Sequence, residues 1–217
     1  MDFLKRLLRR AQAAGDVAFT FARTSKTKLL FFVKYNAVKK EKVIFKMGGG
    51  TVIEKGVRFL LRDPGSFQMG AHSRICRDCK IVINGGDLTL GEHVTVGEKA
   101  IFNVFSDVVI ADNVLMADKI NFITNEHGYK DINVPINASP ETARPIFIGS
   151  DSWIGINATI LAGTTIGKHC VIGANSVVKG SYPDYCVIAG CPARIVKKYD
   201  ADTGRWQSCT VQKCGLQ

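Results

Sequence analysis

The stretch Ile148-Gly-Ser-Asp-Ser-Trp-Ile154-Gly-Ile-Asn-Ala-Thr-Ile160-Leu-Ala-Gly-Thr-Thr-Ile166-Gly-Lys-His-Cys-Val-Ile172-Gly-Ala-Asn-Ser-Val-Val178 puts an aliphatic residue at every sixth position. Gly149, Gly155, Gly167 and Gly173 follow four of these residues, and Ser152, Ala158, Thr164, Cys170 and Ser176 stand four places after them. An amphipathic helix repeats near 3.6 residues and a half-buried strand repeats at two, so neither accounts for a period of six with a small residue in a fixed slot. Three short strands per 18-residue coil do account for it. Each coil turns through a triangle, its aliphatic residues point inward, and stacked coils align them in columns. One coil cannot bury its own apolar face, so several must stack. The Gly or Ala after each aliphatic relieves crowding at the turn.

The same register runs back through the chain. Ile110-Ala111 leads to Met116-Ala117 and Phe122, Leu90-Gly91 to Val96-Gly97 and Phe102, Met69-Gly70 to Ile75 and Ile81, and Ile53 to Phe59. Coils therefore begin near 69, 90, 110, 148 and 166, and the step of 38 residues from 110 to 148 marks a large insertion after Phe122. This predicts a mainly β fold, a parallel β-helix over residues 47–198, with a basic N-terminal extension (1–46) and a C-terminal tail (199–217).

The extension reads as helical. Phe3, Leu4, Leu7, Leu8, Ala11, Ala14 and Ala18 recur at helical spacing, with Lys5, Arg6, Arg9 and Arg10 between them. Residues 1–48 carry twelve Lys or Arg against Asp2, Asp16 and Glu41, whereas the remaining chain carries seventeen basic and sixteen acidic residues. Two readings of this leader stay open: a helix packed on the protein or a neighbouring subunit, or a peripheral contact with an anionic membrane surface. The body has no basic stripe with interleaved aromatics, which argues against nucleic acid. No apolar run reaches the ~20 residues a membrane span needs. The start is not a signal peptide, and seven cysteines without a disulfide framework favour a reducing cytoplasm.

The quoted repeat, continuing to Ala189-Gly-Cys-Pro-Ala-Arg-Ile195, resembles the hexapeptide-repeat acyltransferases, and most of all their branch of sugar and surface-polysaccharide O-acetyltransferases. The resemblance covers about residues 50–198. It implies a left-handed parallel β-helix, a homotrimer with sites between neighbouring prisms, and acetyl-CoA as co-substrate with no metal required. The tail segment Asp200-Ala-Asp-Thr-Gly-Arg-Trp206 is similar to a short tail on some of these enzymes, in which Trp206 would clamp the tail to the prism.

His127 lies in the insertion, in Thr124-Asn-Glu-His-Gly-Tyr-Lys-Asp131, seventeen residues after Ile110. That is the family's spacing for its catalytic His, and a neutral imidazole suits the removal of a hydroxyl proton. Relatives often carry a second His near it. Here Asn125 takes that place and is expected to orient substrate, and Asn103 is expected to hold the acceptor. For acetyl-CoA the resemblance points to Trp153 near the acetyl end or the acceptor pocket, Ile156 and Ala174 along the pantetheine arm, and Lys179 and Arg194 at the adenosine phosphates. Many relatives show Thr-Lys where this chain has Lys179-Gly180.

Other residues read as structural. His72, His93 and His169 occupy variable slots, and a prism-shaped zinc carbonic anhydrase would need three converging His ligands. Cys76 and Cys79 form a lone C-x-x-C, with Cys79 and Cys170 in small core slots. Gly48-Gly49-Gly50 and Gly85-Gly86 lack the following helix and Lys-Ser or Lys-Thr of a phosphate loop. The expected function is acetyl transfer to a sugar or lipid-linked saccharide hydroxyl in surface polysaccharide synthesis, in the cytoplasm or at the inner membrane face. Alternatives are an N-acetyltransferase on an amino-sugar nucleotide, an antibiotic acetyltransferase, or a non-catalytic scaffold.

Overall fold

Stacking the coils in register produces three parallel sheets, one per face of a triangular prism. The computed structural model describes residues 18–24, 28–32 and 44–209. The first face is built from Arg58–Asp63, Lys80–Asn84, Ile101–Val104, Asn121–Ile123, Thr159–Leu161 and Val177–Val178. The second runs from Val52–Ile53 through Arg74–Ile75, Thr95–Val96, Leu115–Met116, Trp153–Ile154 and Val171–Ile172 to Cys186–Gly190. The third runs from Ile44–Met47 through Ser66–Met69, Leu88–Leu90, Val108–Ile110, Ile146–Ile148 and Thr165–Ile166 to Ser181–Tyr182.

The register reproduces the columns expected from the period. Phe102 aligns with Phe122, then Ile160 and Val178. Met116 aligns with Ile154, Ile172 and Ile188, and Ile110 with Ile148 and Ile166. All of these residues are buried in one continuous core. The rings of Phe102 and Phe122 stack with centroids 4.7 Å apart. The small slots add polar stitches between coils. Ser73 Oγ donates to the Gly91 carbonyl and accepts from Val94 N–H, and Ser152 Oγ accepts from Cys170 N–H.

The crowding that selects glycine comes from the next coil rather than from φ. A Cβ on Gly149 would stand 2.5 Å from the Gly167 carbonyl carbon. The left-handed conformations fall two residues later, on Asp151 (φ 59°), Asn157 (60°), His169 (52°) and Asn175 (57°). Asn and Asp tolerate that region better than other L-residues.

The N-terminal extension departs from the helical expectation where it is described. Ala18–Thr24 and Lys28–Phe32 are strands of an antiparallel hairpin, and the first pairs antiparallel with Arg58–Asp63. The residues Phe19, Thr20, Phe21, Phe31 and Phe32 have strong strand preference. The first rung of the face would otherwise present unpaired backbone groups at its edge. Ile44–Met47 pairs parallel with Ser66–Met69, so the prism begins inside the segment read as leader. The amphipathic pattern over residues 3–14 lies outside the described residues.

At the other end Ala193–Asp200 turns back antiparallel on Cys186–Gly190, and Arg205–Ser208 pairs with it in turn. Trp206 packs edge-on against Tyr199, which packs on Tyr185 at a prism corner. No described helix is long and apolar enough to cross a membrane.

Candidate active site

The insertion leaves the prism at the corner between the first and third faces. It emerges after Asn121–Ile123 and returns at Ile146–Ile148. Its two ends form an antiparallel ribbon, Asn125–His127 against Glu141–Ala143, with His127 opposite Glu141 and Asn125 opposite Ala143. Thr124, fully buried, roots the ribbon. Its hydroxyl donates to the Asn103 carbonyl at 2.8 Å and accepts from the Phe105 and Ser106 N–H groups.

His127 Nδ1 stands 3.4 Å from Glu141 Oε1, and Asn125 Nδ2 donates to Glu141 Oε2 at 3.2 Å. Glu141 thus faces the imidazole with one oxygen while Asn125 holds the other. A carboxylate at Nδ1 favours the tautomer protonated there, which leaves Nε2 as the basic nitrogen. The sequence singles out His127 and gives no sign that Glu141 stands beside it. The signal was obscure because Glu141 lies fourteen residues on, past a proline-containing loop, and only antiparallel pairing brings it opposite. Asn125, read as a substrate ligand, contacts the Glu141 carboxylate.

Glu126 lies between two cations: Lys179 Nζ is 2.5 Å from Oε1 and Arg144 Nη2 is 3.1 Å from Oε2. The Lys179 hydrogen bond, reinforced by Arg144, holds the Glu126 carboxyl below the usual carboxylate range. Lys179, expected at the donor's phosphates, is therefore engaged at the ribbon's own corner.

The other residues expected at the donor stand elsewhere. Trp153 is 51% exposed on the second face, in register with Leu115 and Val171. Ile156 (44% exposed) and Ala174 occupy successive turns where the second face passes into the first, and the Ile156 carbonyl accepts from Asn175 N–H. Arg194 is exposed on Ala193–Asp200, with Nη1 donating to the Ala193 carbonyl. Trp153, Ile156 and Ala174 therefore border one corner of the prism, and His127, Asn125 and Lys179 border another. Asn103 lies on the face between them, half-buried, in the coil next to the ribbon's root.

The other candidates fall into structural places. His72 and His93 stack at a corner with rings 5.1 Å apart, and His169 packs on Tyr185. Burial pushes the Cys79 thiol up to about 12 and also raises that of Cys170. No group of three or more His, Cys, Asp or Glu among the described residues could hold a metal ion.

The three-faced parallel β-helix built from six-residue repeats is the fold of a hexapeptide-repeat transferase. The chain belongs to that family: the bacterial transferase hexapeptide (six repeats) model matches residues 145–180. It is 32% identical over 155 residues to WbbJ of Escherichia coli, named for lipopolysaccharide biosynthesis O-acetyl transfer, covering 68% of this chain and 79% of WbbJ. It is 32% identical over 180 residues to Rv3034c of Mycobacterium tuberculosis, named as an acetyltransferase, covering 79% of this chain but only 59% of that relative's length. Among solved structures, a maltose O-acetyltransferase from Clostridium difficile matches with TM-score 0.50 and 26% identity, over 71% of this chain and 70% of that one.

Proposed function

We propose that the chain transfers an acetyl group from acetyl-CoA to a hydroxyl of a sugar, as a step in building a surface polysaccharide. The observation that carries this reading is the Glu141 carboxylate beside His127 Nδ1. That pairing leaves Nε2 to take the proton of the acceptor hydroxyl. As the proton moves to Nε2, the hydroxyl oxygen attacks the thioester carbonyl carbon. The C–S bond then breaks, and the imidazolium returns the proton to the departing sulfur. Glu141 stabilises the transient imidazolium by charge, as the carboxylate of a hydrolytic triad does.

The donor fits the residues at the other corner. Exposed Trp153 and Ile156 offer apolar surface to a pantetheine arm, the small Ala174 leaves room beside it, and the Arg194 guanidinium suits phosphate. The two sets stand one face apart on the same prism, so we infer a homotrimer in which one chain's ribbon meets its neighbour's donor corner. The exposed apolar side chains of Leu115, Trp153 and Phe147 support burial against another copy. The sugar acceptor rests on similarity to WbbJ and the maltose enzyme. Work on a lipid-linked saccharide would place the protein in the cytoplasm, at the inner membrane face.

The test is thiol release from acetyl-CoA across a panel of mono- and oligosaccharides, comparing wild type with His127→Ala. A base worth ~10²–10⁴-fold predicts loss of that order in kcat. Equal turnover by the variant on the best acceptor would remove His127 from the chemistry.

A further inference from the structure

Side chains on a two-stranded ribbon alternate between its two sides. His127, Asn125 and Glu141 meet on one side, and Glu126 turns to the other. There both of its oxygens are engaged, Oε1 by Lys179 and Oε2 by Arg144. Lys179 follows Val178, and its rung lies two coils beyond the one that launches the ribbon. Arg144 stands where the ribbon returns; its N–H donates to the Thr124 carbonyl, and its guanidinium lies over Gly163. A Cβ on Gly163, whose φ is +79°, would come within 3.4 Å of that guanidinium.

We propose that Glu126, Lys179 and Arg144 form a clasp that fixes the ribbon against the prism and so sets the pose of His127, with Lys179 a positioning residue rather than a ligand for the donor's phosphates. The inference rests on reading His127 as the base. Four side chains of the insertion's stem are thereby divided by strand alternation into a chemical side and an anchoring side. Lys179 and Arg144 are half-exposed and Glu126 partly so, and exposed ion pairs contribute little to global stability. The clasp acts on geometry, where a displacement near 1 Å costs about a hundredfold in rate.

The test combines amide hydrogen exchange over residues 125–143 with steady-state kinetics on the full-length protein, for Glu126→Gln, Lys179→Met and the double variant. The clasp predicts faster ribbon exchange in each single variant, and no further increase in the double over Glu126→Gln, since Lys179→Met leaves the Arg144 contact in place. It also predicts kcat lower by about 10–100-fold with KM for acetyl-CoA within twofold of wild type. A several-fold rise in that KM for Lys179→Met with ribbon exchange unchanged would overturn the clasp and make Lys179 a phosphate ligand. Unchanged exchange and unchanged kinetics would overturn it as well. Exchange does not depend on turnover, so faster exchange in Glu126→Gln beside full activity in His127→Ala would keep the clasp and discard only the base.

Discussion

His127 and Glu141 face each other across an antiparallel ribbon, Nδ1 3.4 Å from Oε1, fourteen residues apart in sequence. The pairing makes a testable demand on Glu141. Glu141→Gln keeps the size but replaces the anion with an amide that can present either end to the imidazole. Wrong tautomers are then populated, and the transient imidazolium loses its counter-charge. We expect kcat to fall by about 10–100-fold with little change in KM for acetyl-CoA, read in the thiol-release assay. Full activity in Glu141→Gln would mean that the pair plays no part in the reaction.

Thr124 predicts a stability effect at the root of the same ribbon. Its hydroxyl is wholly buried and serves three partners: the Asn103 carbonyl and the Phe105 and Ser106 N–H groups. Thr124→Val preserves shape and leaves both N–H donors without that acceptor. The expected cost is about 1–3 kcal/mol, measured as a lowered midpoint in urea at unchanged slope. Thr124→Ser, which keeps the hydroxyl, should restore most of it.

Gly149 tests the reason for the second place in the repeat. A methyl group there would stand 2.5 Å from the backbone of Gly167 in the adjoining coil, and backbone cannot move aside as a flexible side chain can. Gly149→Ala should therefore destabilise by about 1–3 kcal/mol, as overpacking does. Gly49, whose Cβ would meet no atom within 4 Å, is the control, and Gly49→Ala should be nearly neutral. Equal midpoints for the two variants would show that the coils can part at little cost.

Most of the prism was legible because a period of six is a packing statement: each predicted column, such as Met116, Ile154 and Ile172, is an inter-coil register. The place of His127 in the insertion was legible. Its pairing with Glu141, and the contacts of Glu126 with Lys179 and Arg144, were not, since they depend on how the ribbon folds back, and no periodicity within residues 124–145 records that. Residues 18–24 and 28–32 depart from the helical expectation for a related reason. Ala18–Thr24 is a strand because an edge at Arg58–Asp63 is there to receive it, a tertiary fact that local hydrophobic spacing does not contain.

Cys79 gives a prediction about reactivity. Its sulfur is buried in a small slot 3.1 Å from the Gly97 carbonyl, and desolvation pushes the thiol up to about 12. A raised pKa favours the neutral thiol, so at pH 8 the nucleophilic thiolate is scarce. Access is blocked as well. In native protein at pH 8, iodoacetamide should modify exposed Cys191 and leave Cys79 untouched; after denaturation both should react. Peptide mapping by mass spectrometry reads the outcome. Rapid native alkylation of Cys79 would mean that the first coils open readily, and the prism would then be less tightly stacked at that end than its buried columns imply.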